Sequence, residues 1–288
     1  MNSNIILFAT RNVKVFFRDR VAVVFSMFAA LIVIALYFLF LGDMITEGYS
    51  ETLPDARIII DSWAMAGLMA VVPVTATLGA LGIMIQDKIT GVVRDFTVSP
   101  MRTHEIVGGY VLSTFIIGTA LSLLALVFAE LYIVSNGGPV LSAAQFVKVI
   151  GLVLLSVLSA SAVMFFLALF INSNNAYSTA SSIVGTMIGF LTGVFIPTGL
   201  LPAAMGSVIK IVPASHSASL FRQVMMEKPM EATAGMSPDD LLSFELDMGV
   251  KFKVGDMIIT PETSILILVG VCAAFFILAV LKLSVKRK

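Results

Sequence analysis

Six stretches of this chain are almost free of charge, each about 20 residues long, the length a helix needs to cross roughly 30 Å of hydrocarbon. They run approximately from Val21 to Leu41, Trp63 to Ile85, Ile106 to Phe128, Phe146 to Phe170, Tyr177 to Ile196 and Thr263 to Leu281. Inside these limits the one charged residue is Lys148, close enough to an end for its ammonium to snorkel into headgroups. The fold class expected is therefore an all-α integral membrane protein with six transmembrane helices. Composition agrees: 58% of the 288 residues are apolar and 12% charged, against about 25% charged in soluble domains, which argues against a water-soluble enzyme. The first stretch is too long and too apolar for a cleaved signal peptide, so it is expected to be retained as an anchor.

Basic residues set the orientation. Arg11, Lys14, Arg18 and Arg20 precede the first span, Lys88, Arg94 and Arg102 lie between the second and third, and Lys282, Lys286, Arg287 and Lys288 close the chain. The other side carries fewer basic residues over longer loops and most of the acidic ones. Both termini are thus expected in the cytoplasm. Trp63 and Tyr132 fall at the outer boundary and Tyr110 and Tyr177 at the inner one, as interfacial aromatics do.

Four pieces stand out around and within the spans. Asn4 to Arg18, placed at 100° intervals, puts Arg11, Lys14 and Arg18 on one face and Ile5, Ile6, Val13, Phe16 and Phe17 on the other. Such a helix lies at the inner headgroup level, as a passive anchor or as a partner's docking surface. In the loop from Gln86 to Glu105, Ile85, Ile89, Val92, Val93 and Phe96 make an apolar stripe that ends before Pro100, a short amphipathic helix for the membrane or for a groove on another protein. Ser181, Gly185, Gly189 and Gly193 are four apart, a small-residue face that lets two helices approach within the chain or across a dimer. Pro73 breaks the second span's hydrogen-bond ladder, with Thr75 and Thr77 placed to compensate the freed carbonyls, giving a static kink or a moving part.

Beyond the fifth span, residues 197–262 are too apolar at first for a simple loop. Leu200 to Val212, set between Pro197, Pro202 and Pro213, suggests short re-entrant helices in the outer leaflet. Ser237-Pro238-Asp239-Asp240 reads as a helix N-cap with proline at the first position. Val250 to Thr260 reads as a small hairpin around Gly255. Together they make a small extracellular cap between spans five and six. The chain divides into an interfacial helix over 1–20, spans one to five over 21–196, the re-entrant segment and cap over 197–262, and span six with a basic tail over 263–288.

No GxxxxGK[ST] phosphate loop, HExxH or GxSxG motif occurs, and His104 and His216 lie far apart, so they read as simple polar surface. Cys272, the one cysteine, cannot make an intrachain disulfide and reads as a packed thiol. No catalytic, metal or cofactor site is expected, and a net charge of zero gives no field to hold nucleic acid. No span carries an Asp, Glu or Arg of the kind ion-coupled carriers use, so uphill transport would draw its energy from another polypeptide.

Two stretches carry a family pattern. Gly91-Val-Val-Arg-Asp-Phe-Thr-Val-Ser-Pro100 is followed by Met-Arg-Thr-His-Glu-Ile-Val-Gly-Gly109, a Gly, a Pro and a Gly at equal spacing. Later come Thr192-Gly-Val-Phe-Ile-Pro197, Leu201-Pro202, Ile211-Val-Pro213 and Arg222. In order and spacing they resemble the membrane-spanning subunits of ABC-2 type ATP-binding cassette transporters. The chain departs from the family where an acidic residue is usual, at Arg94, and where a Lys is usual, at Tyr110.

The resemblance implies a single ABC-2 type transmembrane domain over 1–288, the permease of a bacterial plasma-membrane exporter with no ATPase site of its own. It implies a second copy or a paralogous permease as partner. It also implies two ATP-binding cassette subunits, carrying the ATP and magnesium, docked on the cytoplasmic loops amid membrane lipid. By the same resemblance Gly91 to Pro100, with Arg94, Asp95, Phe96 and Ser99, is a coupling helix. Spans two and five then line a shared pathway, with Pro73, Thr75, Thr77, Gly185, Thr186, Gly189, Phe190 and Gly193 as pathway or dimer residues. Family members export drugs, antimicrobial peptides, lipids or polysaccharides. A pathway of apolar, hydroxyl and aromatic residues favours an amphipathic or hydrophobic cargo such as a drug, peptide or lipid. An ATP-independent channel or secondary carrier and a polysaccharide exporter are the alternatives.

Overall fold

The computed structural model describes residues 2–50, 53, 55–93, 96, 101–233 and 235–285. Helix α1 (Asn2–Arg18) meets α2 (Arg20–Leu36) at Asp19, whose carboxylate caps α2 by accepting from the Val21 and Ala22 amides at 3.1 and 3.0 Å. A wide π turn, Tyr37–Leu41, passes α2 directly into α3 (Gly42–Tyr49). Then follow α4 (Ala56–Thr90), α5 (Thr103–Ser135), α6 (Ala143–Ala168) and α7 (Asn174–Leu191). Ser142 and Ser173 cap α6 and α7 through the amides of Gln145 and Ala176. The last helix is α11 (Pro261–Val285). Five helices are long and apolar enough to cross a membrane: the continuous run Ala30–Tyr49, α4, α5, α6 and α11. The expected fifth span coincides with α7, which is 18 residues long and rich in serine, threonine and glycine.

Helix α4 is the axis of the bundle. Helices α2, α5, α6, α7 and α9 (Pro213–Met225) all pack on it, and from Ile59 to Val74 every side chain on it is buried. In lipid there is no hydrophobic drive for helices to associate, so close van der Waals packing does the work, and small residues permit it. A Cβ at Gly79 would run into Ser26 of α2, and one at Gly82 would lie 2.7 Å from the Tyr177 hydroxyl of α7. Pro73 sits mid-helix, as the sequence places it. The Thr75 hydroxyl donates to the carbonyls of Val71 and Val72, and that of Thr77 to those of Pro73 and Val74. These lie one turn beyond Met69, whose carbonyl is the one a proline at 73 deprives of its i+4 donor. The two hydroxyls therefore reinforce the turn after the break and do not replace the missing bond.

Helix α1 is built into the bundle, which differs from a helix held by lipid alone. It runs alongside the first turns of α5 in parallel: Asn4 donates to Glu105 at 3.2 Å, Phe8 packs over Gly109, and Asn12 donates to Ser113 at 3.3 Å. Its buried face is Phe8, Ala9, Asn12 and Phe16, while Ile6, Leu7, Val15 and Phe17 remain exposed. Helical periodicity locates an apolar face but not the protein surface that claims part of it.

The stripe expected from Ile85 to Phe96 is split. Helix α4 continues through Ile85 and Ile89 and ends at Gly91, whose φ of +83° is the left-handed C-cap conformation that glycine adopts without steric cost. Val92, Val93 and Phe96 are helical beyond that break. Four of the expected coupling residues, Arg94, Asp95, Ser99 and Pro100, lie outside the described residues.

At the Trp63 end of α4 the chain folds into α8 (Ala203–Ile209), α9, α10 (Pro238–Asp247) and a two-stranded hairpin, β1 (Lys253–Val254) and β2 (Met257–Ile258), paired Lys253 to Ile258. Ser237 caps α10 through the Asp240 amide and Pro238 takes the first helical position, as read from the sequence. Helix α9 is driven between α4 and α6 and against α11. This buries His216 completely: its ring lies 3.3 Å from the Ser264 hydroxyl and 2.9 Å from the Lys210 carbonyl, edge-on to Phe252. The expectation of a surface histidine fails because α9 is packed on three sides.

Candidate functional site

A groove of about 720 Å³ runs between α2, α4 and α7. Thr75 of α4, Ser26 of α2 and Tyr177, Ser182 and Thr186 of α7 give it hydroxyls, and Phe25 and Phe28 of α2 give it aromatic surface. Among its described lining residues none is charged. It exists because α7 stands off from the bundle: it buries only Ile188 and Gly189, and a Cβ at Gly185 would meet nothing within 4 Å. An apolar floor with scattered hydroxyls suits a neutral or amphipathic molecule whose polar atoms bond to hydroxyls while its body displaces lipid.

Named contacts border the groove at each end. At the Gly91 end Tyr177 bridges from α7 to α4, its hydroxyl donating to the Leu78 carbonyl at 3.2 Å. At the other end the turn after α7, residues 192–197, folds back so that Phe195 covers Gly189 and meets Phe190 edge-on at 5.2 Å. Three side chains from other elements hold that turn and the last residue of α7. Tyr37 donates to the Val194 carbonyl at 2.7 Å, and Arg222 donates to the carbonyls of Thr192 and Gly193 at 3.0 and 3.1 Å. The third, Ser215, donates to the Leu191 carbonyl at 2.6 Å.

The pathway residues read from the sequence thus divide. Thr75, Gly185, Thr186 and Gly189 line the groove together. Pro73 faces a separate cavity of about 80 Å³ beside Ser156, Ser159 and Ser217. Thr77 is buried, its methyl packing where Gly118 of α5 leaves room. Gly193 lies past the helix end with φ +69°, and Phe190 is partly exposed beside Phe195. Among the described residues no second helix occupies the small-residue face at Gly185, so the intrachain close approach is not made there.

A second cluster sits at the Gly91 end. Asp87, near the end of α4, accepts from Arg11 of α1 at 2.5 and 3.1 Å and from the Tyr110 hydroxyl of α5 at 2.8 Å. The hydrogen bond to Asp87 raises the Arg11 guanidinium above its ordinary value, outweighing desolvation. The guanidinium also lies 5.5 Å from the Phe96 ring and 6.0 Å from Phe8, and the two rings meet edge-on at 4.9 Å. Phe96, just past the Gly91 break, is thereby joined to α1 and α4. The neighbouring Lys88 reaches the other way and donates to the carbonyls of Leu169 and Ile171 past the end of α6, at 3.3 and 2.7 Å.

Sequence reasoning passes over these partners. Arg11 reads as a lipid-facing cation and Asp87 as loop polarity, because nothing local links residues 76 positions apart. At the other end of α4, Asp61 accepts from Arg57, Asn136 and Tyr132 at 2.8, 2.9 and 3.2 Å, and Arg57 also pairs with Asp43 of α3. The signal for both clusters is present in retrospect as a carboxylate within two residues of a span limit, a costly place for an unpaired charge.

No curated protein sequence matches the chain. The family profile described as ABC-2 type transporter matches residues 3–226, which takes in α1, the groove helices, the Gly91 break, the Asp87 cluster and Arg222. The chain belongs to the ABC-2 type transporter family, as a multi-pass, membrane-spanning component.

Proposed function

We propose that the chain is the permease subunit of an ATP-driven exporter, crossing a bacterial plasma membrane six times with both termini in the cytoplasm and α7 as the fifth crossing. The groove between α2, α4 and α7 carries this reading, since it offers an uncharged, hydroxyl-dotted surface for an amphipathic or hydrophobic cargo such as a drug, peptide or lipid. A second copy or a paralogous permease completes the pathway by covering the open face of α7. ATP-binding cassette subunits, which hold the ATP and magnesium, dock on the segment from Gly91 to Pro100.

The geometry supports a route for the stroke. A push on Phe96 acts on α1 through Phe8 and Arg11 and on α4 through Asp87. Helix α4, which ends at the left-handed Gly91, carries it along the groove to Trp63.

The test is purification of the tagged chain from its host membranes in mild detergent. Co-purification of a subunit bearing a phosphate-binding loop, with ATP hydrolysis that depends on Gly91 and Phe96, is expected. Recovery of the chain alone under several gentle conditions, with flux after reconstitution that needs no ATP, overturns the reading in favour of a channel or secondary carrier.

A further inference from the structure

Arg222 is completely buried, and its hydrogen bonds go to carbonyl oxygens alone. Its Nη2 donates to the Thr192 and Gly193 carbonyls at the C-terminus of α7, and its Nη1 donates to the Gly249 carbonyl, at 3.3 Å, at the C-terminus of α10. Gly193 (φ +69°) and Gly249 (φ +65°) are the left-handed residues that end those helices. One guanidinium therefore serves as the C-terminal cation of two helices, where the helix dipole favours positive charge. Its carbon Cζ lies 4.7 Å from the Trp63 ring centre, and the Trp63 indole donates to Met248 at 2.6 Å. Nε has no partner. A side chain used only to fill space at this point needs no charge, and burying one is costly unless its bonds are required.

The position of these bonds explains the requirement. Residues 192–197 form the turn whose Phe195 covers one end of the groove; the Gly193 and Val194 amides tie it to the Phe190 and Gly189 carbonyls of α7 at 3.0 and 2.9 Å, and side chains from other helices tie it to the rest of the bundle. Tyr37 grips Val194 from the α2 side, and the Val194 side chain packs into the space Gly67 leaves on α4. Arg222 grips Thr192 and Gly193 from α9. Ser215 keeps its own bond to Leu191, so α7 stays capped at its last turn if Arg222 withdraws. Opening the turn then breaks the Val194 and Gly193 amide bonds to Gly189 and Phe190, while Leu191 keeps its bond from Ser215.

We propose that Arg222 is a positioning residue of the export cycle: it holds turn 192–197 shut over the Trp63 end of the groove, and exit of cargo requires release of its bonds to Thr192 and Gly193. The proposal rests on reading the groove as the cargo path. Because the same guanidinium holds Gly249, displacement of the cap and opening of the turn are one event.

Accessibility of the groove from the external face tests this without reference to cargo or ATP. Thr186→Cys is placed in a Cys272→Ala chain within the intact complex, and its reaction with a membrane-impermeant maleimide is timed. Arg222→Gln should raise the labelling rate about tenfold, the factor matching loss of a hydrogen bond from a charged donor, and Arg222→Lys should fall between. Tyr37→Phe, which removes one neutral bond, should raise it about threefold. Asp256→Cys, in the exposed hairpin turn, should label at one rate in every background. Arg222→Gln protein that keeps its helix content and partners yet labels Thr186→Cys at the parent rate overturns the proposal. If that variant does not fold, unchanged labelling in Tyr37→Phe does the same. Failure of the groove reading is separate: Thr186→Trp would then leave export intact whatever the labelling shows.

Discussion

The pair Arg11–Asp87 permits a quantitative test of how α1 is fastened. Asp87 is buried and accepts two bonds from Arg11 and one from Tyr110. The Arg11 side chain is 36% exposed, so solvent screening lowers its share to about 1 kcal/mol. Leaving the buried Tyr110 hydroxyl unpaired adds about 1–2 kcal/mol. Asp87→Ala should therefore cost about 2–3 kcal/mol, Arg11→Ala about 1 kcal/mol, and the double variant about 1 kcal/mol less than their sum. Reversible unfolding in mixed micelles, followed by the fluorescence of Trp63, measures each corner of the cycle. That residue is the one tryptophan in the chain and lies about 36 Å along α4 from Asp87, so it reports global unfolding and not a local change. Raising ionic strength to about 1 M should shrink the Arg11 coupling and leave the Tyr110 share in place. A coupling under about 0.3 kcal/mol, the noise level of additivity, would show that the pair does not fasten α1 and that its contacts along α5, from Asn4, Phe8 and Asn12, do so instead.

Other outcomes follow from the same geometry. Gly91→Pro, which forces a φ near −65° where the chain has +83°, and Phe96→Ala should each abolish the stimulated component of ATP hydrolysis while membrane insertion stays unchanged; normal stimulation in both removes the coupling role. Thr186→Trp should fill the groove and lower export by about tenfold or more, with the basal hydrolysis of the complex retained, because bulk at the path raises the barrier to passage and not to nucleotide binding. Gly109→Leu places a Cβ about 3.0 Å from Phe8 Cβ and should lift α1 off α5 at a cost of about 1–3 kcal/mol. Loss of the disulfide formed between cysteines at Asn4 and Glu105 would read that out.

What the sequence makes legible here are features with a local cause. The uncharged runs locate the helices, whose ends reach up to about two turns further, as at Ala56, Tyr49 and Ser135; Ser237 and Pro238 mark the start of α10, and Gly255 marks the hairpin turn. Gly185, Thr186 and Gly189, which the family resemblance marks as pathway or dimer residues, share the wall of one groove. Illegible were features made by partners distant in the chain. Periodicity gives α1 an apolar face but does not disclose that Asp87 claims Arg11. Nor does it show that α9 enters the bundle deeply enough to bury His216 and Arg222. The sequence also runs Ile85 to Phe96 as one stripe, because a glycine inside an apolar pattern does not announce a positive φ.

The π turn at Tyr37–Leu41 carries a consequence for insertions and deletions. At its first residue Tyr37 points into the bundle and holds Val194; beyond its end Asp43 meets Arg57. A π turn contains one residue more than an α turn, which rotates everything downstream by about 100°. Tyr37 and Asp43 are thus in phase with their partners only because the extra residue is present. Removing one of the exposed residues Phe38, Leu39 or Phe40 leaves hydrophobicity and span length nearly unchanged. It would nonetheless turn one anchor away from its partner, so the spacing between the two anchors is a heritable quantity fixed to the single residue.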